Sequence, residues 1–91
     1  MKSIMQQDDK CYICRMAYGT ELHHIFGGPN RKHSEEDGLK VRLCRSCHDQ
    51  AHFDRNMSAP IQKALHMKGQ EAYEREHTRE EFMKRYGRNH L

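Results

Sequence analysis

Leu43-Cys44-Arg45-Ser46-Cys47-His48-Asp49-Gln50-Ala51-His52-Phe53 places two cysteines and two histidines within little more than two helical turns. Cys44 and Cys47 have the C-x2-C spacing of a zinc knuckle. His48 and His52 are an i, i+4 pair, so on a helix their imidazoles project from one face. The stretch therefore reads as two metal sites meeting in one element. A second knuckle, Cys11-Tyr12-Ile13-Cys14, lies upstream, and together Cys11, Cys14, Cys44 and Cys47 suit a closed, structural four-thiolate zinc site.

The rest of the composition explains why such a staple is needed. With 91 residues, only 35% of them hydrophobic, the chain reads as one domain (residues 1–91) with a thin core, and small cores supply little net stability unassisted. A structural zinc contributes roughly 10–16 kcal/mol of apparent binding energy that becomes folding energy. No apolar leader opens the sequence, so the expectation is a cytoplasmic protein whose thiols stay reduced and bind zinc rather than pair as disulfides. No uncharged run is long enough to cross a bilayer. Sixteen Lys and Arg against thirteen Asp and Glu leave a net charge of +3, which permits nucleic-acid binding without demanding it. Eight histidines beside no tryptophan and three phenylalanines are poor core material and good ligands or proton carriers.

Outward from the opening stretch, Leu39 to Leu43 alternates apolar and basic residues, which predicts a strand with Leu39, Val41 and Leu43 facing inward. A helix is expected from Cys47 to about Arg55. Upstream, Thr20 to Phe26 reads as a short strand, and Gly27 through Gly38 as a long loop, a type that tends to be functional. Residues 1–10 read as a loose lead-in. Downstream, Ser58 as N-cap and Pro60 in the first turn open a helix to about Glu76, with Ile61, Leu65 and Ala72 as its core stripe. Thr78-Arg79-Glu80-Glu81 fits a capping box, Phe82, Met83 and Tyr86 form the apolar face of a last helix, and Gly87 stops it. The predicted class is small α+β: a zinc-stapled core over 11–55 and a helical extension over 58–91.

His23 and His24 sit on the first strand, where neighbours point to opposite faces, so only one of them can join His48 and His52 as a ligand. If that one is His23, His24 is left beside the site as an unligated base. That is the minimum for one-metal phosphodiester hydrolysis: a Lewis acid on phosphate and an imidazole to deprotonate water. His33, His66, His77 and His90 have no partner at useful spacing and read as surface residues.

Leu22-His23-His24-Ile25, the glycine-bearing loop, and Leu43 to His48 with His52 resemble the HNH endonuclease family, from Cys11 to about His52. The segment Arg79 to Asn89 is similar to the ends of short phage and prophage members. The resemblance implies a ββα-metal (His-Me finger) core stapled by the four-cysteine zinc site and followed by two C-terminal helices. It makes His24 the general base and His23, His48 and His52 the ligands of a catalytic divalent ion, as in the colicin nucleases, which share the double His and the H-x3-H. It implies DNA cleavage to 5′-phosphate products in a bacterial host cell, with phage packaging or recombination proteins as further partners and no membrane association. Where the family carries its central Asn this chain reads Asp37-Gly38-Leu39, and Asn30 and Asp37 are the candidates to take its place.

Three imidazoles make a softer site than magnesium prefers, so Mn2+, Ni2+ and Zn2+ stand beside Mg2+ as candidate ions. Arg31, Lys32, Lys40, Arg42 and Arg45 are the candidate DNA-phosphate contacts. Two other classes fit the same residues: a non-catalytic zinc-stapled nucleic-acid-binding or protein-interaction module, and a metal-dependent hydrolase of another substrate. Metal content and DNA nicking separate the three.

Overall fold

The structure, a computed structural model, describes residues 1–91. Its organising unit is a two-stranded antiparallel hairpin of β1 (Thr20–His24) and β2 (Lys40–Cys44), in register from Thr20 opposite Cys44 to His24 opposite Lys40. β2 behaves as its alternation predicts: Val41 and Leu43 are buried, as is Leu39 just before the strand. β1 inverts its own apolar pattern. Leu22 is 42% exposed, whereas His23 is only 5% exposed and lies opposite Val41 on the inner face. A histidine thus occupies a core position that the neighbouring leucine would ordinarily take.

The segment between the strands is not the long loop its glycines and charges predict. A single 3-10 turn at Gly28–Asn30 leads into helix α1 (Arg31–Asp37). Its sequence hides the helix because only Ser34 is buried, so no 3.6-residue apolar period exists to be read. Ser34 is the pin: its hydroxyl accepts from Phe26 N at 3.2 Å and donates to Leu39 O at 2.5 Å, tying α1 across the two hairpin ends. Gly38 ends α1 at φ +72°, where the N-terminal backbone passes so close that any side chain would collide with Lys2 O and Ile4.

That close passage also corrects the expectation of a loose lead-in. Ile4 N donates to Gly38 O, Ser3 Oγ to Lys40 O, and Gln6 Oε1 accepts from Arg42 N, so residues 3–6 run along the outer edge of β2.

Helix α2 (Arg45–Phe53) begins two residues earlier than expected, because Cys44 itself is the N-cap and its Sγ accepts from Cys47 N. Cys47 and Ala51 form its buried stripe. Helix α3 (Ser58–Tyr73) is entered from Met57 rather than capped by Ser58. The Ser58 hydroxyl instead donates to Ala51 O at 2.7 Å, and Gln62 Nε2 donates to the same carbonyl, so α3 satisfies the C-terminal end of α2. Gly69 lets α3 close on the chain leaving β1, since a Cβ there would stand 2.8 Å from Ile25 Cγ2. Leu65 and Ala72 are buried as predicted, with Ile61 packed at the margin.

Helix α4 (Arg79–Tyr86) carries the expected capping box between Thr78 and Glu81 and stops at Gly87 in the left-handed region. Phe82 and Tyr86 are buried, but Met83 is 43% exposed, so the apolar face is narrower than expected. Phe26, Tyr73, Phe82 and Tyr86 pack as one aromatic cluster, with Phe26 and Phe82 each 4.7 Å from Tyr86 by ring centroid. The histidines read as surface residues border this cluster: His66 stacks on Phe26 and His77 on Tyr73, His90 lies 5.2 Å from Phe26, and His33 meets Tyr86 edge-on. Fully buried Gln70 fastens the tail, donating to Asn89 and accepting from His90 N. The result is a small α+β fold with a two-stranded sheet and four helices, none long and apolar enough to cross a membrane.

Candidate functional site

Two clusters meet at the β2–α2 junction. Cys11, Cys14, Cys44 and Cys47 bring four sulfurs within 4.8 Å of one another, and none is in a disulfide. A tetrahedral zinc with Zn–S bonds near 2.3 Å sets sulfurs about 3.8 Å apart. The Cys14–Cys44 pair is at 3.6 Å, and the amides of Cys14 and Cys47 point at the sulfurs of Cys11 and Cys44, as knuckle turns require. The knuckle turn also holds Arg15 at φ +68°, its amide donating to Cys11 O. This donor set can hold a structural metal ion such as zinc. Four sulfurs are the full complement of a tetrahedral ion.

His23, His48 and His52 form the second cluster, three ring nitrogens within 4.8 Å. The rings pack edge to face, with centroids 5.3, 5.3 and 4.7 Å apart. His23 Nε2 is buried with no hydrogen-bond partner, an orphan that a buried polar atom ordinarily avoids. Burial, and then the neighbouring His48 and His52, push the His23 pKa down to about 4, so the ring is neutral and its lone pair is available. Burial falls from His23 through His48 to exposed His52, which opens the cluster toward solvent on one side. The geometry fits a divalent ion with free positions.

Two carboxylates outside the expected site attend these histidines. Glu21 lies two residues before His23, hence on the same strand face, and its Oε1 is 3.2 Å from His48 Nδ1. That contact leaves Nε2 of His48 for a metal, the arrangement in which an outer carboxylate orients a ligating ring. Glu35 on α1 lies on the other side of the hairpin, with Oε1 2.8 Å from His24 Nε2 and Oε2 2.5 Å from Lys40 Nζ. Lys40, and then His24, hold the Glu35 carboxyl down to about 2. Period-2 spacing could have found Glu21. Glu35 had no signal, because it depends on a helix with no apolar stripe.

The hairpin separates His23 from His24 as alternation demands: His23 faces α2 and His24 faces α1. Neither candidate for the missing Asn touches His24. Asn30 donates to Tyr86 O, and Asp37 accepts from Arg85 and from the Tyr86 hydroxyl. Among the candidate phosphate contacts, Arg31 and Lys32 stand exposed on the first turn of α1. Lys40 is largely covered and paired with Glu35. Arg42 donates to Thr20 O and Oγ1, and Arg45 pairs with Asp49 on α2.

Fold and site together define a small α+β protein with a four-cysteine cluster that can hold a metal ion and an adjoining histidine cluster. No protein-family model, curated protein or solved structure matches the chain.

Proposed function

We propose that the chain is a metal-dependent DNA endonuclease of the HNH, ββα-metal kind. The observation that carries this reading is the inverted strand β1, which buries His23 Nε2 without a partner against His48 and His52 and turns His24 to the other face. A fold seeking stability alone gains nothing from an orphaned imidazole in place of Leu22. The order strand, strand, helix, with metal-ligand residues facing each other between the first strand and the helix, supports the same assignment.

In this mechanism His23, His48 and His52 hold the divalent ion, and Glu21 orients His48. The ion, when bound, supplies Lewis acidity toward the scissile phosphate and the departing oxygen. His24 accepts the proton of the attacking water. Exposed Arg31 and Lys32 hold backbone phosphates, which positions DNA without reading its sequence, so cleavage is weakly sequence-specific. The four cysteines tie the N-terminal knuckle to the junction of β2 and α2, one turn from His48.

Plasmid nicking with added Mg2+, Mn2+, Ni2+ or Zn2+ and EDTA controls tests the reading, with metal content measured alongside. Wild type is expected to bind a second ion and nick, and His24→Ala to bind it without nicking. One zinc per chain and intact DNA under every ion would leave a zinc-stapled binding module. A second ion without nicking would point to a different substrate.

A further inference from the structure

His24 and Lys40 stand opposite each other in the hairpin register, on the face turned away from His23, and α1 lays Glu35 against both. This placement is built rather than incidental. Ser34, the residue beside Glu35, is fully buried and bonded to both hairpin ends, and Gly38 allows the N-terminal backbone to close over the end of α1. His24 and Lys40 side chains are only 9% and 12% exposed, so neither swings freely.

An ionised carboxylate only accepts hydrogen bonds, so the atom of a neutral imidazole that faces it must carry the proton. We propose that Glu35, anchored by Lys40, holds His24 in the Nε2–H tautomer and so reserves Nδ1 as its proton-accepting atom. Glu35 is then a positioning residue, and this consequence for catalysis rests on the endonuclease reading. A bare surface ion pair would not select a tautomer.

Long-range proton–nitrogen NMR of histidine-labelled, zinc-loaded protein, at a pH where His24 is neutral, reads the tautomer without any cleavage assay. Wild type is expected to show Nε2–H. The isosteric Glu35→Gln keeps one acceptor oxygen; the Lys40 ammonium, with the N-terminal ammonium 3.6 Å from the same position, holds it, the amide NH2 turns to His24, and the tautomer reverses to Nδ1–H. Adding Lys40→Met removes the closer ammonium and restores Nε2–H. In nicking assays Glu35→Gln is expected to lose kcat by roughly 10- to 100-fold with KM unchanged, as partners that orient functional histidines do. A wild-type His24 in the Nδ1–H form, or a tautomer indifferent to Glu35→Gln, overturns the proposal. A wild type in the Nε2–H form that never nicks overturns the endonuclease reading and leaves the tautomer assignment standing.

Discussion

The cysteine and histidine clusters both draw on α2 and on the hairpin, yet they are built on opposite terms. The cysteine cluster brings four sulfurs together with the knuckle amides of Cys14 and Cys47 turned onto the sulfurs of Cys11 and Cys44, and it joins the N-terminal knuckle to the start of α2. The histidine cluster has three donors, one orphaned nitrogen and an exposed edge at His52. A metal held by the four cysteines would add binding energy to folding, which offsets the cost of an unsatisfied nitrogen at the histidine cluster.

Loss of zinc is expected to have the largest effect. Chelation, or Cys44→Ala, which deletes a ligand and the α2 N-cap together, is expected to unfold the chain. Roughly 10–16 kcal/mol of apparent zinc-binding energy exceeds what a small domain holds in reserve. Circular dichroism with zinc titration checks this, and a chain that stays folded without zinc would make the thiolates dispensable. His23→Leu should do the reverse at the other cluster. It replaces an unsatisfied nitrogen by an apolar group, so it should abolish uptake of the second ion while raising stability of the zinc-loaded protein by about 1 kcal/mol. Calorimetric melts and metal analysis read both effects, and a destabilised variant would show that the His23 ring is satisfied in solution.

Protonation sharpens the same contrast. The His23 pKa lies below its ordinary 6.5, at about 4, so as pH falls through that window the unfolded chain takes up a proton that the folded chain refuses. Stability without the second ion should therefore be fully present above about 6.5 and decline toward 4, and His23→Leu should remove that part of the slope. Denaturant midpoints at several pH values measure it. The smallest effect is expected from Glu21→Gln, which weakens the orientation of His48: second-ion affinity should drop roughly 10-fold with the melting temperature unchanged. An affinity equal to wild type would reduce the Glu21–His48 contact to a surface pair.

The two clusters also differ in how far they could be read before the fold was known. C-x2-C is a local spacing that a knuckle turn imposes, so the pairing of Cys11 and Cys14 with Cys44 and Cys47 was legible residue by residue. The His48–His52 pair was legible for the same reason, since i, i+4 places both on one helix face. The choice between His23 and His24 came only from the family resemblance, which made His23 the ligand; spacing alone left it open. It depends on strand register, and β1 runs against its own hydrophobic pattern by exposing Leu22. α1 escaped notice because a helix pinned by one buried serine leaves no periodic trace. Expecting Ser58 to cap α3 failed because its hydroxyl bonds the end of α2, a contact between elements that no local motif encodes.

Local spacing was enough for the two knuckles, the α2 histidine pair, the inward residues of β2, the capping box at Thr78 and the stop at Gly87. Each follows from spacing and backbone preference within a few residues. Tertiary packing settled that Leu22 turns outward on β1, that Glu21 and Glu35 attend His48 and His24, and that Lys40 and Arg42 are engaged within the hairpin. Those outcomes depend on register and on how α1 and α2 cross the sheet, where residues far apart in sequence compete for the same hydrogen-bond partners.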